Sequence, residues 1–77
     1  MSAKQAFERL GYVQTENNDD YIIYEKNIGI RENKKVVSFS NQLKDFRVYF
    51  EDDEEAASIN RKLLKAILLQ LKELNWI

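Results

Sequence analysis

Seventy-seven residues make one domain, near the lower limit of what folds without a disulfide or metal staple. Cysteine, histidine and proline are absent, which excludes a disulfide framework and a thiolate metal site and removes the commonest general base and metal ligand. Twelve Lys+Arg against thirteen Asp+Glu leave a net charge of −1, without the basic excess of a dedicated nucleic-acid binder.

In chain order, Ser2 to Leu10 reads as a short helix. Ser2 can cap it, Ala6, Phe7 and Leu10 give an apolar stripe, and Gly11 stops it where a left-handed residue is needed. So few turns cannot stand alone, so the helix must dock through Phe7 and Leu10. Tyr12–Glu16 and Tyr21–Lys26 read as strands joined through the turn formers Asn17, Asn18, Asp19 and Asp20. Ile22 and Tyr24 share one face of the second strand, Tyr21 and Ile23 the other, and both faces are apolar. The pattern leaves open which face is buried. Asn27 to Asn33 is ambiguous, with Ile28 and Ile30 alternating as in a strand while Gly29 suggests a bend.

Lys35–Ser40 is a third strand and Phe46–Phe50 a fourth, the latter with Phe46, Val48 and Phe50 on one side and Arg47 and Tyr49 on the other. Short strands with short connections favour an antiparallel meander. The longest helical pattern follows, from Glu54 to Trp76. Ala56, Ile59, Leu63, Leu64, Ala66, Ile67, Leu68, Leu71 and Leu74 fall on one arc, with Arg61, Lys62, Lys65 and Lys72 opposite. The acidic run Glu51–Glu55 reads as a cap and dipole compensation at the start of this helix. A metal site is the weaker reading, because the alternating ligands and glycine of a calcium loop are missing.

These elements predict a single α+β domain spanning residues 1–77: a short N-terminal helix, a four-stranded antiparallel β-meander and a long C-terminal helix. Both helices lie on one sheet face in two layers, with the other face open to solvent. The expected core is Phe7, Leu10, Val37, Phe39, Phe46, Val48, Phe50, Ile59, Leu63, Ile67, Leu71 and Leu74.

AFERLGY at the start, NNDDYIIYEK, the strand–turn–strand VVSFSNQLKDFRVYF and a helix closing on ELNW together resemble a group of small proteins encoded in phages and prophages of Gram-positive bacteria. The positions that carry the resemblance are Phe7, Leu10, Gly11, Tyr12, Tyr21 to Lys26, Leu74, Asn75 and Trp76. They are structural residues covering most of the chain, and no catalytic motif defines the group. The resemblance implies origin and fold.

For function, the sequence contains no nucleophile motif or phosphate-cradling glycine loop, and a two-layer domain this small has little room for a deep pocket. An enzyme is the least expected class, and no cofactor is implied. Leu69 and Trp76 fall outside the apolar arc on the lysine side, which makes them candidate anchors for an unidentified host or phage protein. Trp76 folding back to seal the core is the slightly preferred alternative. Arg61, Lys62, Lys65 and Lys72 form a basic helix face that could track phosphates, extended by Lys34, Lys35 and Arg47 if these lie nearby. Tyr12 and Tyr49 on the open sheet face would add stacking platforms. Protein binding is the first expectation and nucleic-acid binding the second. No apolar run reaches the roughly 20 residues of a membrane span, and no signal-peptide pattern opens the chain. The expected setting is therefore the cytoplasm of a bacterial host cell, as monomer or homodimer.

Overall fold

The computed structural model describes residues 1–29 and 33–77 and has the element order α1 (Ala3–Arg9), β1 (Val13–Asn17), β2 (Tyr21–Asn27), β3 (Lys34–Ser40), β4 (Asp45–Phe50) and α2 (Arg61–Glu73). The strands pair in sequence order as one antiparallel sheet, so the expected meander is present. Its register is continuous from β2 to β4: Ile22 faces Phe39, which faces Phe46, and Tyr24 faces Val37, which faces Val48. That register settles the face left open by the sequence. Ile22 and Tyr24 join Val37, Phe39 and Val48 in the core, whereas Tyr21 and Ile23 point the other way. Ile30 of the ambiguous segment lies outside the described residues.

Each helix is bounded by its own sequence signals. Ser2 and Gln5 form a reciprocal capping box at the start of α1. At its end, Gly11 takes a left-handed φ of 92°. The Tyr12 N–H then donates to the Phe7 carbonyl and the Gly11 N–H to the Glu8 carbonyl, both at 3.0 Å. This is a Schellman motif, and its apolar contact is the edge-on packing of Tyr12 on Phe7 at 5.7 Å. The end of α2 repeats it: Asn75 has φ 60°, with Trp76 N–H donating to the Leu71 carbonyl and Asn75 N–H to the Lys72 carbonyl. Leu–Gly–Tyr and Leu–Asn–Trp are thus two copies of one device, a left-handed stop followed by an aromatic residue, Tyr12 packing on Phe7 and Trp76 against the core cluster.

Aromatic rings build the middle of the core. Phe7 stacks on Tyr24 with centroids 3.9 Å apart and meets Phe39 edge-on at 6.2 Å. Leu63, Ala66 and Ile67 cover them from α2. One polar pair is buried among these groups. The Tyr24 hydroxyl donates to Gln70 Oε1 at 2.6 Å while accepting from Gln14 Nε2 at 3.2 Å, so neither is left unsatisfied.

The helix-rich tail departs from expectation in three ways. First, α2 begins at Arg61 under an Asn60 cap, whose side chain accepts the Leu63 N–H, and not at Glu54. The residues before it pair along β4: Phe50 N–H donates to the Glu55 carbonyl (3.0 Å), Ala57 N–H to the Val48 carbonyl (2.9 Å), and Ala56 bridges Tyr49. An uncovered strand edge leaves backbone groups unpaired, and this short return satisfies them. Second, the acidic run occupies the turn into that return. Glu54 is left-handed (φ 55°) and Asp53 Oδ1 accepts the Glu55 N–H, while the first turn of α2 contains no acidic residue. The run therefore does not compensate the α2 dipole. Third, the buried stripe of α2 is Leu63, Ala66, Ile67 and Gln70, flanked by half-buried Leu71 and Leu74. Leu64 and Leu68 lie outside it, 44% and 41% exposed, and Ile59 is also exposed. Of the remaining expected core residues, Leu10, Phe46 and Phe50 are half-buried. Ala3, Tyr12, Ile22 and Tyr24 are core residues that the pattern did not single out.

Candidate functional site

Of the two residues expected as partner anchors, Trp76 sits against the core: it is half-buried and packs against the central cluster, held there by the left-handed Asn75. Leu69 is also half-buried. Its flank of α2 is the one against α1, because Glu73, one turn further on, accepts the Ala3 N–H at 2.6 Å. The four basic candidates are all exposed but do not form one face. Arg61, Lys65 and Lys72 share the outward stripe, at helical spacing, while Lys62 lies on the α1 side, lining a pocket with Lys26 and Lys35. Lys34 and Arg47 are on the opposite face of the sheet: Lys34 pairs with Glu25 at 3.3 Å, and Arg47 lies over the Tyr49 ring at 5.0 Å. Tyr12, expected on the open face, is buried on the helix side.

The open sheet face has a surface of its own. On β3, Phe39 points inward, so Ser38 and Ser40 point outward, and small side chains in a central strand leave a depression. Cross-strand pairing places Ile23 and Arg47 on either side of Ser38, and Tyr21 and Asp45 on either side of Ser40. Tyr49 extends one wall and Leu43, from the β3–β4 turn, closes one end. The result is a hollow of about 450 Å³ with Glu16 at its rim. Leu43 is 74% exposed and Tyr21 45%. Desolvation pushes the Tyr49 phenol above its ordinary value, and the Arg47 guanidinium, lying over the ring, offsets this in part.

The signal for this site was present in the alternation Ser38–Phe39–Ser40 between Tyr21/Ile23 and Arg47/Tyr49. It is legible only with the register in hand, because strand pairing brings these residues together. Among the described residues no group of three or more candidate side chains is placed to hold a metal ion, and no helix is long and apolar enough to cross a membrane. No family model, curated protein or solved structure matches the chain.

Proposed function

We propose that this domain is a small accessory phage or prophage protein that works by binding a host or phage protein, through the open face of its sheet. The observation that carries the reading is the hollow over Ser38 and Ser40, walled by Tyr21, Ile23, Arg47 and Tyr49. Tyrosine and arginine are the residue types that dominate binding energy at protein interfaces, and they do so where a pocket receives a partner side chain. Here Tyr21, Ile23 and Tyr49 supply apolar and aromatic wall surface. Arg47 on one side and Glu16 and Asp45 on the others supply charges of both signs for orientation. A protruding apolar side chain flanked by polar groups is the partner feature this surface fits. The phage assignment rests on the sequence resemblance, and the domain's role is binding without chemistry of its own.

The test is affinity capture from a Gram-positive host lysate, with a nuclease-treated sample alongside. The comparison is between the native chain and a Tyr21→Ala/Leu43→Ala/Arg47→Ala variant whose circular dichroism and melting temperature match. A protein retained by the native chain with and without nuclease, and lost by the variant, is the expected result. Equal capture by both chains refutes the assignment of the surface. Capture that disappears with nuclease would favour the second reading, phosphate tracking along Arg61, Lys65 and Lys72, which the exposure of that stripe supports.

A further inference from the structure

On the helix side of the sheet, where α1 ends and α2 begins, three lysines line one pocket. Lys26 and Lys35 are direct cross-strand partners on β2 and β3, and Lys62 reaches the same pocket from α2. The pocket, about 340 Å³, is completed by Leu10, Tyr12 and Ile28. We propose that it binds a phosphate-type oxyanion, held by the ammonium groups of Lys26, Lys35 and Lys62. The site lies on the far side of the sheet from the open face, so the proposal does not rest on the protein-binding reading.

Like charges placed directly opposite in a ladder are destabilising, and these two are half-buried, where water screens them less. No carboxylate is among the described residues that line the pocket. Both ammonium groups are positioned rather than loose. Lys35 Nζ donates to the Ser58 carbonyl at 2.7 Å, which leaves further N–H bonds to give. Lys26 Nζ sits 5.6 Å from the centre of the Tyr12 ring, its stem lying against Gly11. Burial, and then the neighbouring Lys26, push the Lys35 ammonium below its ordinary value. An anion between the three would reverse that tension. A phosphate monoester suits the site best, because the pocket exceeds one phosphate group and Ile28, 42% exposed at its lip, offers an apolar rest for a substituent.

The experiment is a titration of the full chain with inorganic phosphate, and separately with adenosine monophosphate. Ionic strength is held constant with chloride, and the lysine ε-carbon resonances are followed. Saturable shifts at Lys26, Lys35 and Lys62 are expected with both probes. Equal affinities identify free phosphate as the natural source, and tighter binding of the monophosphate identifies an ester. Lys62→Gln, at an exposed position that leaves the fold alone, should weaken binding at least tenfold, and Lys65→Gln should not. In phosphate-free buffer Lys35→Met should melt at the same or a higher temperature and lose the phosphate-dependent rise. Shifts that do not saturate, that persist unchanged in Lys62→Gln, or that centre on Arg61, Lys65 and Lys72 overturn the proposal. So does a Lys35→Met variant that melts lower yet keeps the phosphate response.

Discussion

Replacing Tyr24 with phenylalanine isolates a single atom. The ring keeps its stack on Phe7 at 3.9 Å and its edge contact with Phe39, so packing is conserved and only the hydroxyl is lost. That hydroxyl donates to Gln70 Oε1 at 2.6 Å, and Gln70 is 4% exposed. Its carbonyl oxygen would be stranded where water does not reach it. An unsatisfied buried acceptor costs about 1–3 kcal/mol. At the middle of that range, about 2 kcal/mol, the folded-to-unfolded ratio falls roughly 30-fold. For a domain of this size each kcal/mol moves the melting temperature by about 4–8 °C, so a drop of about 8–16 °C is expected. Gln70→Leu should cost a similar amount, because it leaves the Tyr24 O–H without its acceptor. The double variant Tyr24→Phe/Gln70→Leu replaces both partners with apolar groups and should be less destabilised than the sum by about 1–2 kcal/mol. Urea unfolding followed by circular dichroism measures all four proteins. A Tyr24→Phe cost under about 0.5 kcal/mol, typical of a surface change, or strictly additive single effects, would refute the reasoning that this pair is a closed buried bond.

The two helix stops should respond oppositely to substitution. Gly11→Ala forces a Cβ into a left-handed backbone, 3.2 Å from Lys26 Cε, and should destabilise by about 1–2 kcal/mol, whereas Asn75→Gly relieves a left-handed side chain and should stabilise by up to about 1 kcal/mol. Chemical denaturation reads both, and a Gly11→Ala variant as stable as the native chain would remove the left-handed stop from the account of α1. Asn60→Ala deletes the α2 cap and should cost about 0.5–2 kcal/mol, while Glu55→Gln, outside the helix, should leave the melting temperature within about 2 °C at moderate salt; the reverse ranking would return the helix start to the acidic run. The Tyr12 and Tyr24 phenols are both raised by desolvation, Tyr24 with partial offset from the Gln14 bond. The unfolded chain ionises them first, so their stabilisation is fully present below about pH 10 and is lost as pH rises through the folded-state values. Urea midpoints measured from pH 8 to 11.5 should fall above pH 10, less steeply in Tyr12→Phe; identical slopes in the two proteins would contradict this.

Local signals in the sequence determined much of what depends on neighbours in the chain. Ser2 and Gly11 bounded α1, the Asn17–Asp20 turn joined β1 to β2, and the alternation Phe46–Val48–Phe50 oriented β4. Together they specified the order helix, meander, helix and the single layer of helices. Tertiary structure decided what depends on competition between partners distant in sequence. Ala56 and Ile59 fit a helical spacing, but the free edge of β4 offered residues 55–57 backbone hydrogen bonds, and the helix retreated to Asn60. Leu64 and Leu68 are as apolar as Leu63 and Ile67. Only the positions of α1 on one flank and the sheet beneath determined which leucines were covered. Ile22/Tyr24 and Tyr21/Ile23 were indistinguishable by hydropathy, and pairing with Phe39 and Val37 made the choice. The surfaces on which function is proposed belong to the same category. Ser38 beside Ile23 and Arg47, and Lys26 opposite Lys35 beneath Lys62, are neighbours created by register and by packing of a helix on a sheet. Side-chain periodicity along one strand fixes which face a residue occupies, but not which residue of another strand or helix stands beside it.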